Sequence, residues 1–370
     1  MLNFTVGPVQ TWPEILEIGG KQVPYFRNQS FSKIMLENEK IMKELTYAED
    51  NSKVVFLTAS GTGAMEAAVM NSFTSNDLVL IVDGGSFGHR FAQICEIHNI
   101  PYKVVKVPID NQLTKDMLEP YNNKGFTGFL VNMCETSIAK LYDMQMISDF
   151  CKKNNLFLIV DGISSFLADP VNIREMEIDV FLTGSQKALA LPPGISILVF
   201  NERAINRINQ STANSMYFDI KDALKNGERG QTPFTPAVSI LLQMNYRLKM
   251  IMAHGGAKYE NDRIAELAAD FRKRILDLPV EILDSSLSNS VTAVKVKDQK
   301  NAYKIFEILE KQYGIWICPN GGDLKEKIFR VGHLGNLTVD DNRRLVEALK
   351  KYLIIGISRY FIGGFNGILS

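Results

Sequence analysis

The feature that most constrains the fold is a series of short apolar runs between residues 54 and 200. The runs are continuous and rich in Val, Ile, Leu and Phe: VVFLTA (54–59), LVLIVD (78–83), FLVN (129–132), LFLIVD (156–161), DVFLTG (179–184) and ISILVF (195–200). Strands buried on both faces lack polar alternation in this way. Helical patterns at 63–73, 87–98 and 144–154 separate some of them. We therefore predict an α/β fold with a mostly parallel sheet covered by helices.

The pattern changes after residue 236. A helical stretch at 236–254 ends at a Gly-Gly pair, and a second follows at 261–276. Short strands at 279–283, 291–296 and 328–331 then alternate with helices at 302–312 and 338–351. We predict a large domain over 1–255, whose N-terminal segment reaches a smaller C-terminal α+β domain over 256–353, and an apolar, Gly-rich tail over 354–370 with no assigned role.

The composition argues against several classes of binding partner. Lys+Arg and Asp+Glu both number 41, so no net charge attracts the chain to nucleic acid or to an anionic membrane. No apolar stretch has the length and purity of a membrane span, and residues 1–10 lack the pattern of a signal peptide. The four cysteines form no C-x-x-C pair and have no metal-ligand spacing. We predict a cytoplasmic protein with reduced cysteines and no metal site.

A turn rich in small and hydroxyl residues follows the first apolar run. It contains Ser60, Gly61 and Thr62 and opens the helical pattern at residue 63. A helix N-terminus offers unpaired N–H groups and a positive dipole end, both of which suit a phosphate. The same residues also fit an ordinary helix N-cap. The turn is thus a candidate phosphate site at an edge of the sheet where ligands bind in doubly wound folds.

Two charged residues follow later apolar runs. Asp161 closes one run, and a carboxylate beneath an apolar sheet requires a cationic partner, such as a protonated pyridine nitrogen, unless it caps the next turn. Lys187 follows another run in a loop of small residues. A desolvated lysine can form a Schiff base with an aldehyde cofactor, although a solvated surface charge is the commoner use of a lone lysine.

An arginine in the predicted smaller domain is a candidate anion site. Arg330 lies within the apolar sequence FRVGH at 329–333. A guanidinium there prefers a bidentate anionic partner, which a substrate carboxylate or a structural salt bridge would supply.

In combination these motifs resemble the class V aminotransferases among the fold-type I pyridoxal-phosphate enzymes. The similar groups are alanine–glyoxylate and serine–pyruvate aminotransferases and 2-aminoethylphosphonate–pyruvate transaminase. The resemblance extends from residue 4 to about residue 353. The strongest local matches are ASGTGAMEAA (59–68), VDGISSF (160–166), GSQKAL (184–189) and FRVGHLG (329–335).

The resemblance implies pyridoxal 5'-phosphate as the cofactor and a role for each matching residue. Ser60, Gly61 and Thr62 would hold the phosphate with Gln186, Asp161 would pair with the ring nitrogen, and Lys187 would carry the covalent link. Four further positions match family residues: Phe87 for ring stacking, Thr136 for a contact to the ring oxygen, Thr235 for a phosphate contact across a homodimer interface, and Arg330 for the substrate carboxylate. Ordinary core packing is the alternative for Phe87, and a helix N-cap before Pro236 is the alternative for Thr235.

Two departures from the family pattern leave the substrate open. Ser137 is followed by Ile138-Ala139-Lys140 where the family commonly has Thr-Gly, and Val6 replaces the first proline of the opening motif. Arg27 matches a basic position of some relatives and is a candidate for binding a phosphonate, unless it is a surface charge.

The predicted function is transfer of an amino group from a small donor of the alanine, serine or 2-aminoethylphosphonate type to a 2-oxo acid such as pyruvate or glyoxylate. The first alternative is a pyridoxal-phosphate-dependent cysteine desulfurase or lyase, for which Cys318 is the cysteine in a loop-like setting. The second is a non-catalytic α/β binding protein.

Overall fold

The structure is a computed structural model that describes residues 1–212, 214–283, 287–297 and 300–355. Most of the predicted tail at 354–370 therefore lies outside the described residues. No helix in the described part of the chain combines the length and apolar character needed to cross a membrane.

Fifteen strands are described. In chain order they are β1 (Leu2–Asn3), β2 (Lys53–Leu57), β3 (Val79–Asp83), β4 (Tyr102–Lys106), β5 (Gly128–Asn132), β6 (Cys134–Glu135), β7 (Lys140–Leu141), β8 (Phe157–Asp161), β9 (Val180–Gly184), β10 (Ser196–Phe200), β11 (Val280–Ile282), β12 (Val291–Val296), β13 (Ile315–Trp316), β14 (Cys318–Pro319) and β15 (Ile328–Gly332).

Twelve α-helices accompany these strands in the described ranges. They are α1 (Pro13–Gly19), α2 (Gln29–Leu45), α3 (Gly61–Ser72), α4 (Ser86–Ile97), α5 (Lys115–Leu118), α6 (Met144–Asn154), α7 (Glu202–Gln210), α8 (Ile220–Gly227), α9 (Val238–Ala253), α10 (Gly256–Arg274), α11 (Ala302–Ile308) and α12 (Val339–Lys350). Wider π-helical turns extend α11 to Tyr313 and α12 to Ile355.

The central sheet has seven strands in the order β2-β10-β9-β8-β5-β3-β4. All neighbours are parallel except β10, which runs antiparallel to both β2 and β9. Because β10 runs antiparallel to both of its neighbours, β2 and β9 point in the same direction. The predicted α/β fold with a mostly parallel sheet is confirmed, and the sequence pattern missed only the edge strand β4 in this sheet.

Helices cover both faces of this sheet, as the continuous apolar runs require. Alternate residues of each strand belong to two separate cores. On β8, Leu158 and Val160 face the core that contains residues of α1, α2, α6 and α9. Phe157 and Ile159 face the core that contains residues of α3, α4, α7 and α8. The side chains of the five inner strands are thereby removed from water, which is the main favourable term in such a fold.

A second, antiparallel sheet has the order β11-β12-β15-β14. Residues of α10, α11 and α12 form a third core against it. The chain's N-terminus joins this part of the molecule, because β1 pairs with β13 and Phe4 is fully buried in the same core. The boundaries predicted at 255 and 353 remain predictions.

The junction between α9 and α10 corrects one sequence expectation. Gly255 and Gly256 both have positive φ, 113° and 73°, so the chain turns there as the Gly-Gly pair predicts. However, α10 begins at Gly256 and ends at Arg274, whereas the sequence pattern placed that helix at 261–276. The turn is thus complete within two residues.

We predict that Gly88→Ala destabilises the fold by about 1–3 kcal/mol, the usual cost of overpacking. A Cβ at Gly88 would lie 2.5 Å from the carbonyl oxygen of Val82 and 3.0 Å from the Cα of Asp83, and backbone cannot move aside as a flexible side chain does. Urea unfolding measures the effect. The matched control is Gly227→Ala, since nothing lies within 4 Å of its added Cβ. Equal stability of the two variants would contradict the packing of α4 on β3.

Candidate active site

The candidate site lies where the chain leaves the carboxyl ends of β2, β8 and β9. A cavity of about 160 Å³ opens there. Its lining residues are Ser60, Gly61, Thr62, Met65, Phe87, Arg90, Thr136, Asp161, Ile163, Ser164, Gln186 and Lys187. Every residue proposed from the sequence to contact the cofactor lines this cavity, except Thr235. The parallel strands explain the convergence, because their carboxyl ends meet at one edge of the sheet.

The N-terminus of α3 forms one wall. Ser60 is the N-cap residue, but its side chain makes no capping hydrogen bond, so its hydroxyl is available to a ligand. The structure thus does not support the side-chain N-cap alternative for Ser60. Gly61 packs closely against Ile163, since a Cβ there would lie 2.4 Å from Cδ1 of Ile163. The first N–H groups of α3 have no helical partner and can donate hydrogen bonds to an anion.

Asp161 lies at the end of β8 and is 6% exposed. One of its carboxylate oxygens accepts a hydrogen bond from the backbone N–H of Ile163 at 2.8 Å. Burial raises the pKa of Asp161 to about 6, and the Ile163 N–H and the charge of Lys187 oppose that rise. A buried carboxylate with one neutral donor suits a cationic ligand atom.

Lys187 lies in the loop after β9 and its amine donates a hydrogen bond to the carbonyl oxygen of Val6 at 2.6 Å. Burial, together with the neighbouring charge of Arg330, lowers the pKa of Lys187 to about 8, and the charge of Asp161 opposes that fall. The opening segment packs directly against this side chain, because a Cβ at Gly7 would lie 2.8 Å from Cδ of Lys187. The lysine is therefore a desolvated amine and not a solvated surface charge.

Thr136 lies between the cavity and the second sheet. Its hydroxyl donates to Oγ of Ser164 at 2.8 Å, and its carbonyl oxygen accepts from Nη1 of Arg330 at 3.0 Å. Ser164 was not among the residues proposed from the sequence, although it lies in the matched motif at 160–166.

Arg330 lies on β15 and does not line the cavity, but its hydrogen bond to Thr136 places it beside the cavity wall. Its Nη2 donates to the carbonyl oxygen of Pro319 at 3.0 Å and to Sγ of Cys318 at 3.2 Å. Its Nε is buried without a hydrogen-bond partner among the described residues. No acidic side chain in the described ranges pairs with it, so the structure does not support the salt-bridge alternative.

Thr235 and Arg27 lie outside the cavity. Thr235 is exposed, and the N-cap of α9 is Ala237 and not Thr235, so the N-cap alternative for Thr235 is wrong. The guanidinium of Arg27 donates to the carbonyl oxygens of Thr232 and Pro233 at 2.7 and 3.0 Å. Arg27 is thus neither a free surface charge nor a lining residue, and it holds the segment that carries Thr235.

Besides Ser164, two residues of the site received no role in the sequence analysis. Glu135 is fully buried and accepts hydrogen bonds from the backbone N–H groups of Phe87 and Gly88 at 3.2 and 3.0 Å, which fixes the start of α4. Arg90 lines the cavity and contacts Phe87 and Thr62. The sequence places Glu135 in a motif beside Thr136 without giving it a role, because its hydrogen-bond partners at residues 87 and 88 are distant in sequence. No local pattern indicates Arg90.

The arrangement fits pyridoxal phosphate on three observations. The uncapped N-terminus of α3 suits its phosphate, the buried carboxylate of Asp161 suits a protonated ring nitrogen, and the desolvated amine of Lys187 suits its aldehyde. No cluster of three or more His, Cys, Asp or Glu side chains that could hold a metal occurs in the part of the chain that the structure describes.

Comparison with known proteins agrees with this chemistry. The sequence model of the family described as Aminotransferase class-V matches residues 23–323. A relative from Synechococcus sp. (strain PCC 6716), named soluble hydrogenase, small subunit, is 30% identical, and the match covers 94% of this chain and 91% of that protein. The L-aspartate–glyoxylate aminotransferase of Paracoccus denitrificans (strain Pd 1222) is 27% identical, with 90% and 86% covered. The structure of an aspartate aminotransferase of subgroup IV from Thermus thermophilus matches with a TM-score of 0.88 and 24% identity, over 95% of this chain and 99% of that one.

We predict that Asp161→Asn stabilises the cofactor-free protein at pH 8. The pKa of Asp161 is about 6 in the folded state against 3.8 ordinarily, so ionisation costs folding free energy above pH 6 and nothing below pH 4. The asparagine removes this cost, which is at most about 3 kcal/mol for a shift of about two units. Urea unfolding between pH 4 and pH 8 should show the advantage shrinking on acidification. Asp277→Asn, at an exposed position, is the control. An advantage that is absent at pH 8, or that grows toward pH 4, would contradict the burial of this carboxylate.

Proposed function

This chain belongs to the class V aminotransferase family, and we propose that it moves an amino group from a small amino acid to a 2-oxo acid such as pyruvate or glyoxylate. The observation that carries the proposal is the pairing of a buried carboxylate, Asp161, with a desolvated amine, Lys187, in one cavity beside a helix N-terminus. A structural carboxylate or lysine has no need of this combination. It suits chemistry on a pyridine ring that is held by its phosphate.

Pyridoxal phosphate is the cofactor of this family. When bound, it supplies an aldehyde that takes up the amino group and a ring that accepts electron density. Ser60, Gly61 and Thr62 at the start of α3, with Gln186, would hold the phosphate. Phe87 would stack on the ring and Thr136 would contact its oxygen.

Lys187 has two roles in the proposal. As a desolvated amine it holds the cofactor covalently, and its pKa of about 8 leaves more of it neutral at physiological pH than an ordinary lysine. Once freed by the amino donor, the same amine would take a proton from the α-carbon of the donor and pass it to the cofactor carbon that receives the nitrogen. In the second half-reaction it would move a proton in the reverse direction, to the corresponding carbon of the acceptor.

Asp161 and Arg330 have separate roles in the proposal. Asp161, ionised, keeps the proton on the ring nitrogen, and the low-dielectric surroundings strengthen that attraction. Arg330 receives the substrate carboxylate. The carbonyl oxygens of Thr136 and Pro319 already orient its guanidinium, and its buried Nε has no hydrogen-bond partner among the described residues.

The substrate class follows from the available charges. Arg330 serves one carboxylate, and the glyoxylate in the name of the Paracoccus relative supports a small 2-oxo acid as the acceptor. A 2-aminoethylphosphonate donor would need a further cation. Arg27 does not line the cavity and is bonded to Thr232 and Pro233, and Arg90, which does line it, contacts Thr62 at the proposed phosphate site. Alanine or serine is therefore the favoured donor type.

We further propose a cytoplasmic homodimer in which Thr235 reaches the partner's phosphate site. Exposed apolar side chains near Thr235 support an interface. Tyr217 is 46% exposed and Met216 beside it is 82% exposed. Tyr217 stacks on Phe234, next to Thr235, and donates a hydrogen bond to the carbonyl oxygen of Thr58. All four cysteines are free, which supports a reducing compartment.

The desulfurase alternative has less support. Its reactive cysteine needs a mobile loop, whereas Cys318 lies on β14, is paired with β15 and accepts a hydrogen bond from Arg330. The second alternative, a non-catalytic binding protein, leaves the desolvated Lys187 without a purpose.

We predict that Lys187→Ala abolishes amino transfer while cofactor still binds non-covalently. The phosphate site and Asp161 are retained, but both the covalent link and the proton carrier are lost, so turnover should fall by at least a hundred- to ten-thousandfold, the range typical of general acid–base catalysis. After borohydride treatment, mass spectrometry should find the reduced cofactor on the Lys187 peptide of the wild-type protein and of the control Lys115→Ala, an exposed lysine. Label on another lysine, or normal turnover in the variant, would overturn the assignment.

We predict that Arg330→Ala raises the KM for the amino acid and for the 2-oxo acid on the order of a hundredfold, because a charge-assisted contact is lost. The dissociation constant of the cofactor should change little, which distinguishes lost substrate binding from a damaged fold. Steady-state kinetics and equilibrium dialysis measure the two effects. The exposed Arg344→Ala is the control. Unchanged KM values for both substrates would exclude Arg330 as the carboxylate site.

A further inference from the structure

Arg90 lies on α4 one helical turn after Phe87, so the two side chains project from the same side of the helix. Its Nη1 donates a hydrogen bond to Oγ1 of Thr62 at 3.1 Å. Its guanidinium carbon is 4.9 Å from the centre of the Phe87 ring. A single side chain thus contacts both the first turn of α3 and the aromatic residue of the cavity.

Arg90 is half-buried, yet no acidic side chain in the described part of the chain forms an ion pair with it. Apart from Lys187, it is the only cation among the residues that line the cavity. Since a lysine that holds the cofactor covalently has a separate task, Arg90 is the cation left to balance a bound anion.

We propose that Arg90 is a positioning residue for the cofactor phosphate, which it serves by orienting the hydroxyl of Thr62 and by adding positive charge beside α3; the inference rests on the proposed function. A threonine hydroxyl has one proton and two lone pairs, and an arginine can only donate. The bond from Arg90 therefore occupies a lone pair of Thr62. The single proton of Thr62 remains for an acceptor in the cavity, and a phosphate oxygen is such an acceptor.

Charge favours the same arrangement. A phosphate monoester carries about −1.5 to −2 charges near pH 7. The N-terminus of α3 supplies roughly half a positive charge. Arg90 adds a full one, and its guanidinium on the Phe87 ring, a cation–π contact, limits how far that ring can turn. The phosphate site and the stacking residue are thereby coupled through one side chain.

The test is a double-mutant cycle on cofactor affinity. Arg90→Met keeps the length of the side chain and removes its charge and donors, and Thr62→Val keeps the shape and removes the hydroxyl. The dissociation constant of pyridoxal phosphate is measured by equilibrium dialysis on cofactor-stripped full-length protein. We expect Arg90→Met to weaken binding about 10- to 100-fold and Thr62→Val about tenfold, as for lost charge-assisted and ordinary hydrogen bonds. The double variant should be weakened by clearly less than the product of the two, because Arg90 acts partly through Thr62.

Conservative variants exclude a general structural effect. Thr62→Ser keeps the hydroxyl and should bind cofactor within about threefold of wild type, whereas Arg90→Lys keeps the charge without the guanidinium fork and should be intermediate. The exposed Arg344→Met is the matched arginine control. Thermal unfolding of the stripped variants identifies any that fail to fold, in which case Arg90→Lys replaces Arg90→Met and Thr62→Ala replaces Thr62→Val in the cycle.

Cofactor affinity of Arg90→Met within twofold of wild type would overturn the inference. A double variant whose loss equals the product of the single losses would overturn it too, since Arg90 would then act independently of Thr62. Failure of the proposed function is distinguishable. In that case the wild-type protein itself would show no borohydride-fixed cofactor on Lys187, whereas failure of this inference leaves that label in place.

Discussion

The burial of the Asp161 carboxylate is the constraint on which the site depends. It closes a central strand, is 6% exposed and has the N–H of Ile163 as its hydrogen-bond donor. Such a group is costly in an apolar interior without a positive partner. The charge of Lys187 offsets part of this cost, and burial lowers the pKa of Lys187 itself to about 8. Burial thus disfavours the charged form of both groups. A protonated ring nitrogen would stabilise the carboxylate, and an aldehyde would react with the neutral amine, which makes the cavity chemically specific.

The order and direction of the strands bring the other residues of the site to the same edge of the central sheet. Because β10 runs antiparallel between β2 and β9, the ends of β2, β8 and β9 all open on one edge of the central sheet. The turn after β2 starts α3 with its unpaired N–H groups, and Glu135 anchors the start of α4, which carries Phe87. The second sheet contributes Arg330 through its bond to the carbonyl of Thr136. Two cores and one reversed strand thus assemble a site whose members are far apart in sequence.

The parts of the fold and of the site that depend on local sequence could be predicted. Doubly buried strands must be continuously apolar, so six strands of the central sheet could be identified, whereas β4, with the half-exposed sequence YKVVK at the sheet edge, escaped. Asp161 and Lys187 stood out because charged residues directly after apolar strands are unusual. Glu135 and Arg90 did not, since their importance lies in backbone N–H groups and a hydroxyl that only the fold brings near. Arg27 was unpredictable for the same reason: its partners are carbonyl oxygens more than two hundred positions away.

The central claim is that the chain carries an amino group between two substrates, and a half-reaction without acceptor tests it most directly. Cofactor-loaded protein is mixed with excess isotopically labelled alanine or serine, and the released oxo acid and the spectrum of the bound cofactor are followed. With the label on the donor nitrogen, we expect one oxo acid per active site and then no further reaction, until pyruvate or glyoxylate is added and appears as the labelled amino acid. Continuous release of ammonia or of sulfide, or no spectral change with any amino donor, would contradict it.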